Sequence, residues 1–155
     1  MRPEVRSPAW QANRKAAHIQ MYTNSFEEFL SSNDTLRVYQ DSRLLFSSSQ
    51  DRVVPLLEYI DRFAANHRQV VIFDKIMGNA AALLSVKANS GEVFSPLGSQ
   101  LAIKTLEKYN IKYHLTRTVP YIQKASGEDM CPMERLSIGK DPEEFYQAIK
   151  EFIKK

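Results

Sequence analysis

The sequence has little of what metal and disulfide chemistry require. It contains a single cysteine, Cys131, among 155 residues, which excludes an intramolecular disulfide and a zinc site built from several thiolates of one chain. Its three histidines, His18, His67 and His114, lack the short spacings typical of metal ligands. We therefore expect no metal or other cofactor, and a reducing, cytoplasmic location.

Long apolar runs and a strong charge of one sign are also missing. No segment approaches the roughly 20 apolar residues of a membrane-spanning helix, and the first residues lack the apolar core of a secretory signal. The net charge is only +3, and no dense basic stripe carries interleaved aromatic residues. The sequence thus predicts neither a membrane nor a nucleic acid as partner.

Apolar residues make up 43% of the chain and charged residues 25%, as in an ordinary soluble globular protein. Residues 1–24 are polar and include Pro3 and Pro8, which predicts a frayed extension or a loosely docked helix. Ser25 is predicted to cap a short helix, Phe26–Leu30. Residues 25–155 then form a single domain.

Five strands follow from the apolar patterns. Leu36–Gln40 and Arg43–Ser47 flank a two-residue turn and predict a β-hairpin. The continuous apolar run Val70–Phe73 is typical of a central strand that is buried on both faces. Shorter strands are predicted at Glu92–Ser95 and Ile111–Thr116.

Helical periodicity fills the segments between these strands. Ser99 is a predicted N-cap, and Asp141 followed by proline and two acids is a strong helix start. The predicted helices are Arg52–Asn66, Lys75–Val86, Gln100–Tyr109 and one from Asp141 to the terminus. A hairpin followed by alternating helices and strands predicts a three-layer α/β fold, a mixed sheet with helices on both faces.

The first candidate site follows the central strand. Ligands bind beyond the carboxyl ends of such strands, where Asp74 is expected to cap the next helix. A cation such as Lys75 is unfavourable at a helix start, and Gly78 in the first turn costs about 1 kcal/mol relative to alanine. Residues placed against local preference favour a functional role. The commoner alternative is structural: a capping Asp74, a solvated Lys75 and a Gly78 that permits close packing.

The second candidate site is Cys131 with Glu134. Cys131 precedes Pro132 and takes the N-cap position of a short helical turn, where the dipole lowers a thiol pKa and favours nucleophilic attack. Glu134 is expected to reach back to the Cys131 N–H as a capping-box acid. The structural alternative is a small cysteine buried at a helix start.

Both segments resemble a known family. Asp74–Ala82 (DKIMGNAAA) and Cys131–Glu134 (CPME) are similar to the two signature motifs of the domain of unknown function 1893 family, D-[KR]-x-x-G-[KR]-A-A-A and C-P-x-E. Two motifs at the right separation make the resemblance specific. Asn79 stands where the family more often has lysine or arginine.

The resemblance implies a cytidine-deaminase-like fold. Zinc deaminases use an H-x-E motif and a P-C-x-x-C motif. The corresponding segments here are Asp74–Ile76 and Pro96–Ser99, which carry neither motif, so the resemblance implies a domain without catalytic zinc and without that deamination. Gly78, Asn79 and Ser99 are then expected to contribute to ligand binding.

Three functions remain open. The chain is either an enzyme acting on a small nucleotide-like or carbonyl-bearing molecule, or a non-catalytic module that binds a small nucleotide or anion, or a structural subunit of a homo-oligomer. In the enzyme, Cys131 is the nucleophile, Asp74 or Glu134 the acid and base, and Lys75 binds an anion or polarises a carbonyl. In the subunit, the small residues of Gly78–Ala82 serve packing.

Overall fold

The computed structural model describes residues 8–154, in which helices surround one five-stranded sheet. The helices are α1 Pro8–Ser31, α2 Val54–Phe63, α3 Asn79–Lys87, α4 Gln100–Lys108, α5 Pro132–Ser137 and α6 Pro142–Lys154. The strands are β1 Leu36–Gln40, β2 Arg43–Ser48, β3 Val70–Asp74, β4 Ser90–Ser99 and β5 Lys112–Val119. None of the described helices combines the length and the apolar composition that crossing a membrane requires.

The strands form a mixed sheet in the order β2-β1-β3-β4-β5, as the alternation of elements predicted. β1 runs antiparallel to both β2 and β3, whereas β3, β4 and β5 are mutually parallel. The carboxyl ends of β3, β4 and β5 therefore meet at one edge of the sheet, the edge at which open α/β sheets bind their ligands.

The predicted hairpin is confirmed, with β2 one residue longer than expected. Asp41 and Ser42 connect the two strands with φ angles of 49° and 70°. Two left-handed residues in a two-residue loop make the turn type whose twist matches that of the flanking strands.

Both faces of the sheet are covered, as predicted. Val70 and Ile72 point to the core that α2 to α6 contribute, whereas Val71 and Phe73 point to the other face. There α1 packs an aromatic cluster onto the sheet, formed by Tyr22, Phe26, Phe29, Tyr39, Phe73 and Phe94.

The prediction of a short helix capped by Ser25 is wrong, because α1 continues without interruption from Pro8 to Ser31. Tyr22, Phe26 and Phe29 are spaced by four and three residues, so their rings lie on one side of the helix. All three are at most 9% exposed. Most of the contacts that hold this part of α1 come from Phe73 of β3 and Phe94 of β4, more than forty residues away, and the local cap signal at Ser25 does not reflect them.

A buried carboxylate also joins α1 to strands β4 and β5. Glu92 of β4 is hydrogen-bonded to His18 Nε2 of α1 at 3.0 Å and to His114 Nε2 of β5 at 2.6 Å. Burial alone raises the pKa of Glu92, but the hydrogen bonds from the two histidines outweigh it and hold that pKa below its usual value. Among the described residues, no group of three or more histidine, cysteine, aspartate or glutamate side chains is arranged to hold a metal ion.

The helix predicted for Lys75–Val86 begins four residues late, at Asn79. Before it the chain stays extended and pairs with β4: Met77 N donates to Leu97 O at 2.8 Å and Ser99 N donates to Met77 O at 3.1 Å. Asp74 is therefore not the helix cap, and Lys75 does not lie against the helix dipole. Gly78 occupies the N-cap position rather than the first turn.

The other helix starts follow their local signals. The Ser99 hydroxyl accepts a hydrogen bond from Ala102 N at 3.1 Å and caps α4, as predicted. At α6, Asp141 and Glu144 exchange side-chain to backbone hydrogen bonds of 2.7 and 3.1 Å, a complete capping box. The helix predicted for Arg52–Asn66 begins at Val54 and ends in a 3₁₀ turn, Ala64–Asn66.

Candidate functional site

A cleft of about 370 Å³ opens at the carboxyl end of β3, and we call it the Asp74 cleft. Four of the residues singled out from the sequence line it together, although more than fifty positions separate the first from the last. These are Asp74, Lys75, Gly78 and Cys131. The remaining lining residues are Thr35, Asp51, Arg52, Val53, Ile76, Ala80, Ala81, Ile122, Gln123 and Met133.

Asp74 is the acidic group buried in the wall of this cleft. Its side chain is largely shielded, with 8% of the residue exposed, and Oδ1 accepts a hydrogen bond from Ile76 N at 3.2 Å. Burial raises the pKa of Asp74 to about 7, because it outweighs the opposing hydrogen bonds from the backbone of Ile76 and Lys75. A carboxyl group in this state exchanges its proton near neutral pH.

The Lys75 ammonium group is held by the end of α1. Lys75 Nζ donates to Ser32 O at 2.9 Å and lies 4.8 Å from the centroid of the Phe29 ring. The Lys75 backbone N–H also donates to Thr35 O at 3.2 Å. Lys75 therefore connects the end of β3 to α1. Its ammonium group already forms a hydrogen bond with a carbonyl oxygen and a cation–π contact with an aromatic ring.

Glu134 is the most deeply buried of the four predicted catalytic residues, at 1% exposure. Its Oε1 accepts from Asn79 N at 2.5 Å, at the start of α3, and its Oε2 accepts from Ile122 N at 2.7 Å. The predicted capping box with Cys131 is wrong, since Cys131 N donates instead to Ile122 O at 2.8 Å. Glu134 thus joins α5 to two walls of the cleft without lining it.

Gly78 allows this close approach. A β-carbon placed on Gly78 would lie 2.9 Å from Ile122 Cγ1 and 3.0 Å from Glu134 Oε1, well inside contact distance. The backbone of Gly78, with φ −80° and ψ 178°, is open to any residue. The lack of space for a β-carbon, rather than the backbone conformation, explains why position 78 is a glycine.

We expect Gly78→Ala to lower the free energy of unfolding by about 1–3 kcal/mol, the usual effect of overpacking a tight site. Chemical denaturation measures this directly. Gly91→Ala is the matched control, because its new β-carbon meets only the movable end of the Gln69 side chain. Equal stability changes in the two variants would show that the Gly78 contact with Glu134 is not tight.

Asn79 and Ser99, expected to bind ligand, are both engaged within the protein. Asn79 Nδ2 donates to Ser137 Oγ at 3.0 Å, and Asn79 Oδ1 accepts from the Thr105 hydroxyl. Ser99 is fully buried as the cap of α4. Neither lies among the residues that line the Asp74 cleft.

Cys131 is a free thiol, partly buried at the edge of the cleft. It occupies the N-cap position of α5 as predicted, but its side chain makes no capping hydrogen bond. The thiol is therefore available to a molecule in the cleft.

The local sequence does not indicate a role for Arg52. This residue lines the Asp74 cleft from the loop before α2, and its φ of 62° is uncommon for a non-glycine residue. The periodic pattern of apolar residues predicts a helix that starts at Arg52, whereas α2 begins at Val54. Its position in the cleft follows from the turn that leads into α2, which no local signal marks.

Comparison with known proteins identifies a family and a similar solved structure. The model of the family described as "Domain of unknown function (DUF1893)" matches residues 25–153. The crystal structure of a DUF1893 family protein from Thermotoga maritima is similar with a TM-score of 0.77 and 25% sequence identity, over 86% of this chain and 90% of that chain. No curated protein matches the chain.

Proposed function

The chain belongs to the DUF1893 family, whose function is unknown, and on that premise we propose that its Asp74 cleft binds a small carbonyl-bearing molecule and exchanges a proton with it. One observation carries the proposal: a buried carboxyl group with a pKa of about 7 faces a cleft at the carboxyl end of a central parallel strand. A group that titrates near neutral pH serves equally well as general acid and as general base.

The order and direction of the strands support the cytidine-deaminase-like fold that the family resemblance implies. On that fold the first zinc motif falls at Asp74–Ile76, so the proposed proton-exchanging residue takes the place of a metal ligand. In this proposal, the end of β3 carries an acid–base carboxyl group where a zinc deaminase carries a metal ligand.

The proposed reaction begins with addition of the Cys131 thiol to the carbonyl carbon. The sulfur–carbon bond forms as the carbonyl π bond breaks, and protonated Asp74 delivers its proton to the oxygen. The thiol proton passes to water, and the product is a hemithioacetal or its ketone equivalent. In the reverse direction, ionised Asp74 takes the hydroxyl proton back as the carbonyl re-forms and the sulfur–carbon bond breaks, and the leaving Cys131 thiolate regains its proton from water.

Lys75 and Glu134 are positioning residues in this proposal. Lys75 fixes the end of β3 through Ser32, and Glu134 holds the start of α3 and the Ile122 segment at the distances given above. Their side chains act on the cleft through the backbone that they hold, so Asp74 and Cys131 form the reacting pair.

A non-catalytic binding module is the second candidate function. The observation in its favour is that two of the four predicted catalytic side chains, those of Lys75 and Glu134, are already satisfied by protein partners. What remains in the cleft are the carboxyl groups of Asp51 and Asp74, Arg52 and the Cys131 thiol among apolar lining residues, which is sufficient for binding.

Acetaldehyde labelled with ¹³C at its carbonyl carbon separates the two functions. We expect NMR to show an adduct on the wild-type protein at pH 7 that is absent from Cys131→Ser. The rate of its formation should fall at least about tenfold in Asp74→Asn, the lower end of the usual general-acid contribution. Asp41→Asn, in the hairpin turn at the opposite end of β1, is the matched control and should retain the rate.

Equal adduct rates in the wild-type protein and Asp74→Asn would contradict a proton-transfer role for Asp74. If acetaldehyde shifts the amide signals of the cleft but forms no adduct with Cys131, the binding module is the correct function.

A further inference from the structure

A second cleft of about 310 Å³ adjoins the Asp74 cleft, and we call it the Arg117 lobe. Both clefts are lined by Ile76, Ile122 and Gln123, which form the ridge between them. The other residues of the Arg117 lobe are Leu97, Arg117, Val119, Pro120 and Tyr121. The two clefts are thus neighbouring compartments at the ligand-binding edge of the sheet.

The two compartments differ in charge. Asp51 and Asp74 accompany Arg52 and Lys75 in the lining of the Asp74 cleft, so both signs are present there. In the Arg117 lobe, Arg117 is the charged lining residue, and no carboxylate accompanies it. Among the side chains that the structure describes, none forms an ion pair with Arg117, and its exposed guanidinium group remains available to an incoming anion.

The strand register determines the distance between Asp74 and Arg117. Arg117 pairs with Leu97 on β4, and β5 is two strands away from β3. From strand spacings of about 4.8 Å and a rise of about 3.3 Å per residue, the Cα atoms of Asp74 and Arg117 are roughly 12 Å apart. Asp74 lines one cleft and Arg117 lines the other, and a span of this length suits a molecule of the size of a sugar phosphate.

We propose that the Arg117 lobe binds the phosphate group of the same small molecule whose carbonyl end lies at Asp74. The guanidinium group presents a planar fork of donors that matches two phosphate oxygens, and apolar walls strengthen such a charged hydrogen bond. The substrate class is then a phosphorylated carbonyl compound. This inference rests on the proposed function for the carbonyl end, whereas phosphate recognition by Arg117 is testable by itself.

The test is a titration of the whole chain with inorganic phosphate at constant ionic strength, followed by ¹⁵N NMR of the arginine side chains. We expect the Arg117 Nε–H signal to shift and saturate, with the ridge amides of Ile122 and Gln123 moving in parallel. Phosphate should bind at least about tenfold more tightly than acetate, because its greater charge and additional oxygens strengthen the contact.

Arg117→Ala should abolish the saturable shifts of the ridge amides. Arg43→Ala removes an exposed arginine from the opposite edge strand β2 and should leave them unchanged. A linear, non-saturating response, retention of the ridge shifts in Arg117→Ala, or equal affinity for acetate would each overturn the proposal. Asp74→Asn should bind phosphate as the wild type does, so failure of the Asp74 chemistry and failure of the Arg117 lobe give different results.

Discussion

Replacement of Glu134 by alanine is expected to lower the free energy of unfolding by about 4 kcal/mol, the largest destabilising effect that we predict. Its carboxyl oxygens accept from the backbone N–H groups of Asn79 and Ile122. Each buried donor left without an acceptor costs about 1–3 kcal/mol, and the cavity adds to that. Urea denaturation measures the difference.

Glu134→Gln separates hydrogen bonding from packing. The glutamine fills the same volume but offers one acceptor oxygen and one N–H₂ group, so one backbone donor loses its partner and about 2 kcal/mol should be lost. Glu151→Ala, an exposed glutamate of α6, should change stability by less than about 0.5 kcal/mol. If Glu134→Ala also lowered the free energy of unfolding by less than about 0.5 kcal/mol, the view that Glu134 stabilises the cleft would be wrong.

Asp74→Asn is expected to make the protein more stable at pH 8, by up to about 4 kcal/mol, and to leave stability at pH 4 nearly unchanged. The pKa of Asp74 rises from about 3.9 in the unfolded chain to about 7 in the folded protein. Between these values the unfolded state releases a proton that the folded state retains, so wild-type stability falls as pH rises. Above pH 7 both states are ionised, and the full loss persists.

The informative quantity is the difference in unfolding free energy between the wild type and Asp74→Asn from pH 4 to pH 8. Taking the difference removes the contribution of every other titrating group that the two proteins share. A difference that stays constant across this range would mean that the folded protein does not raise the pKa of Asp74.

The loss of stability caused by ionisation of Asp74 bears on function. Asp74 is buried and forms no ion pair with the described side chains, and the neighbouring Lys75 ammonium group is bound to Ser32. An asparagine would make the same hydrogen bond to Ile76 without the penalty of burying a charge. Strongly perturbed acids without a structural partner concentrate at functional sites. The position therefore favours a role that requires a titrating group.

The features that the sequence predicted well are those with local causes. The hairpin turn, the cap of α4 by Ser99 and the helix start at Asp141 each depend on residues within three positions of one another. The apolar part of β3 was evident for the same reason: the four consecutive apolar residues Val70–Phe73 need no distant information to be recognised.

The features that it missed depend on distant partners. Residues 75–78 look helical, but Met77 pairs with the end of β4, and two backbone hydrogen bonds to that strand outweigh the local preference. Glu134 likewise satisfies the short-range rule for a capping box, yet its carboxyl oxygens bond to Asn79 and Ile122. In both cases a tertiary contact replaces a plausible local one.

The candidate site was predictable in part for the same reason. Strand alternation places Asp74 at the ligand-binding edge of the sheet, and the family motifs add Cys131. The sequence could not show that Lys75 and Glu134 have protein partners, nor that Arg52 enters the cleft from the loop before α2. These facts depend on the packing of α1 and α5 and on a single left-handed residue.

The most direct test of the central claim is a ¹³C NMR titration of the Asp74 side-chain carboxyl carbon, assigned by comparison with Asp74→Asn. The account predicts a midpoint near pH 7. A midpoint near 4, the value of an ordinary exposed aspartate, would contradict the proposal that Asp74 exchanges a proton with a molecule bound in the cleft at neutral pH.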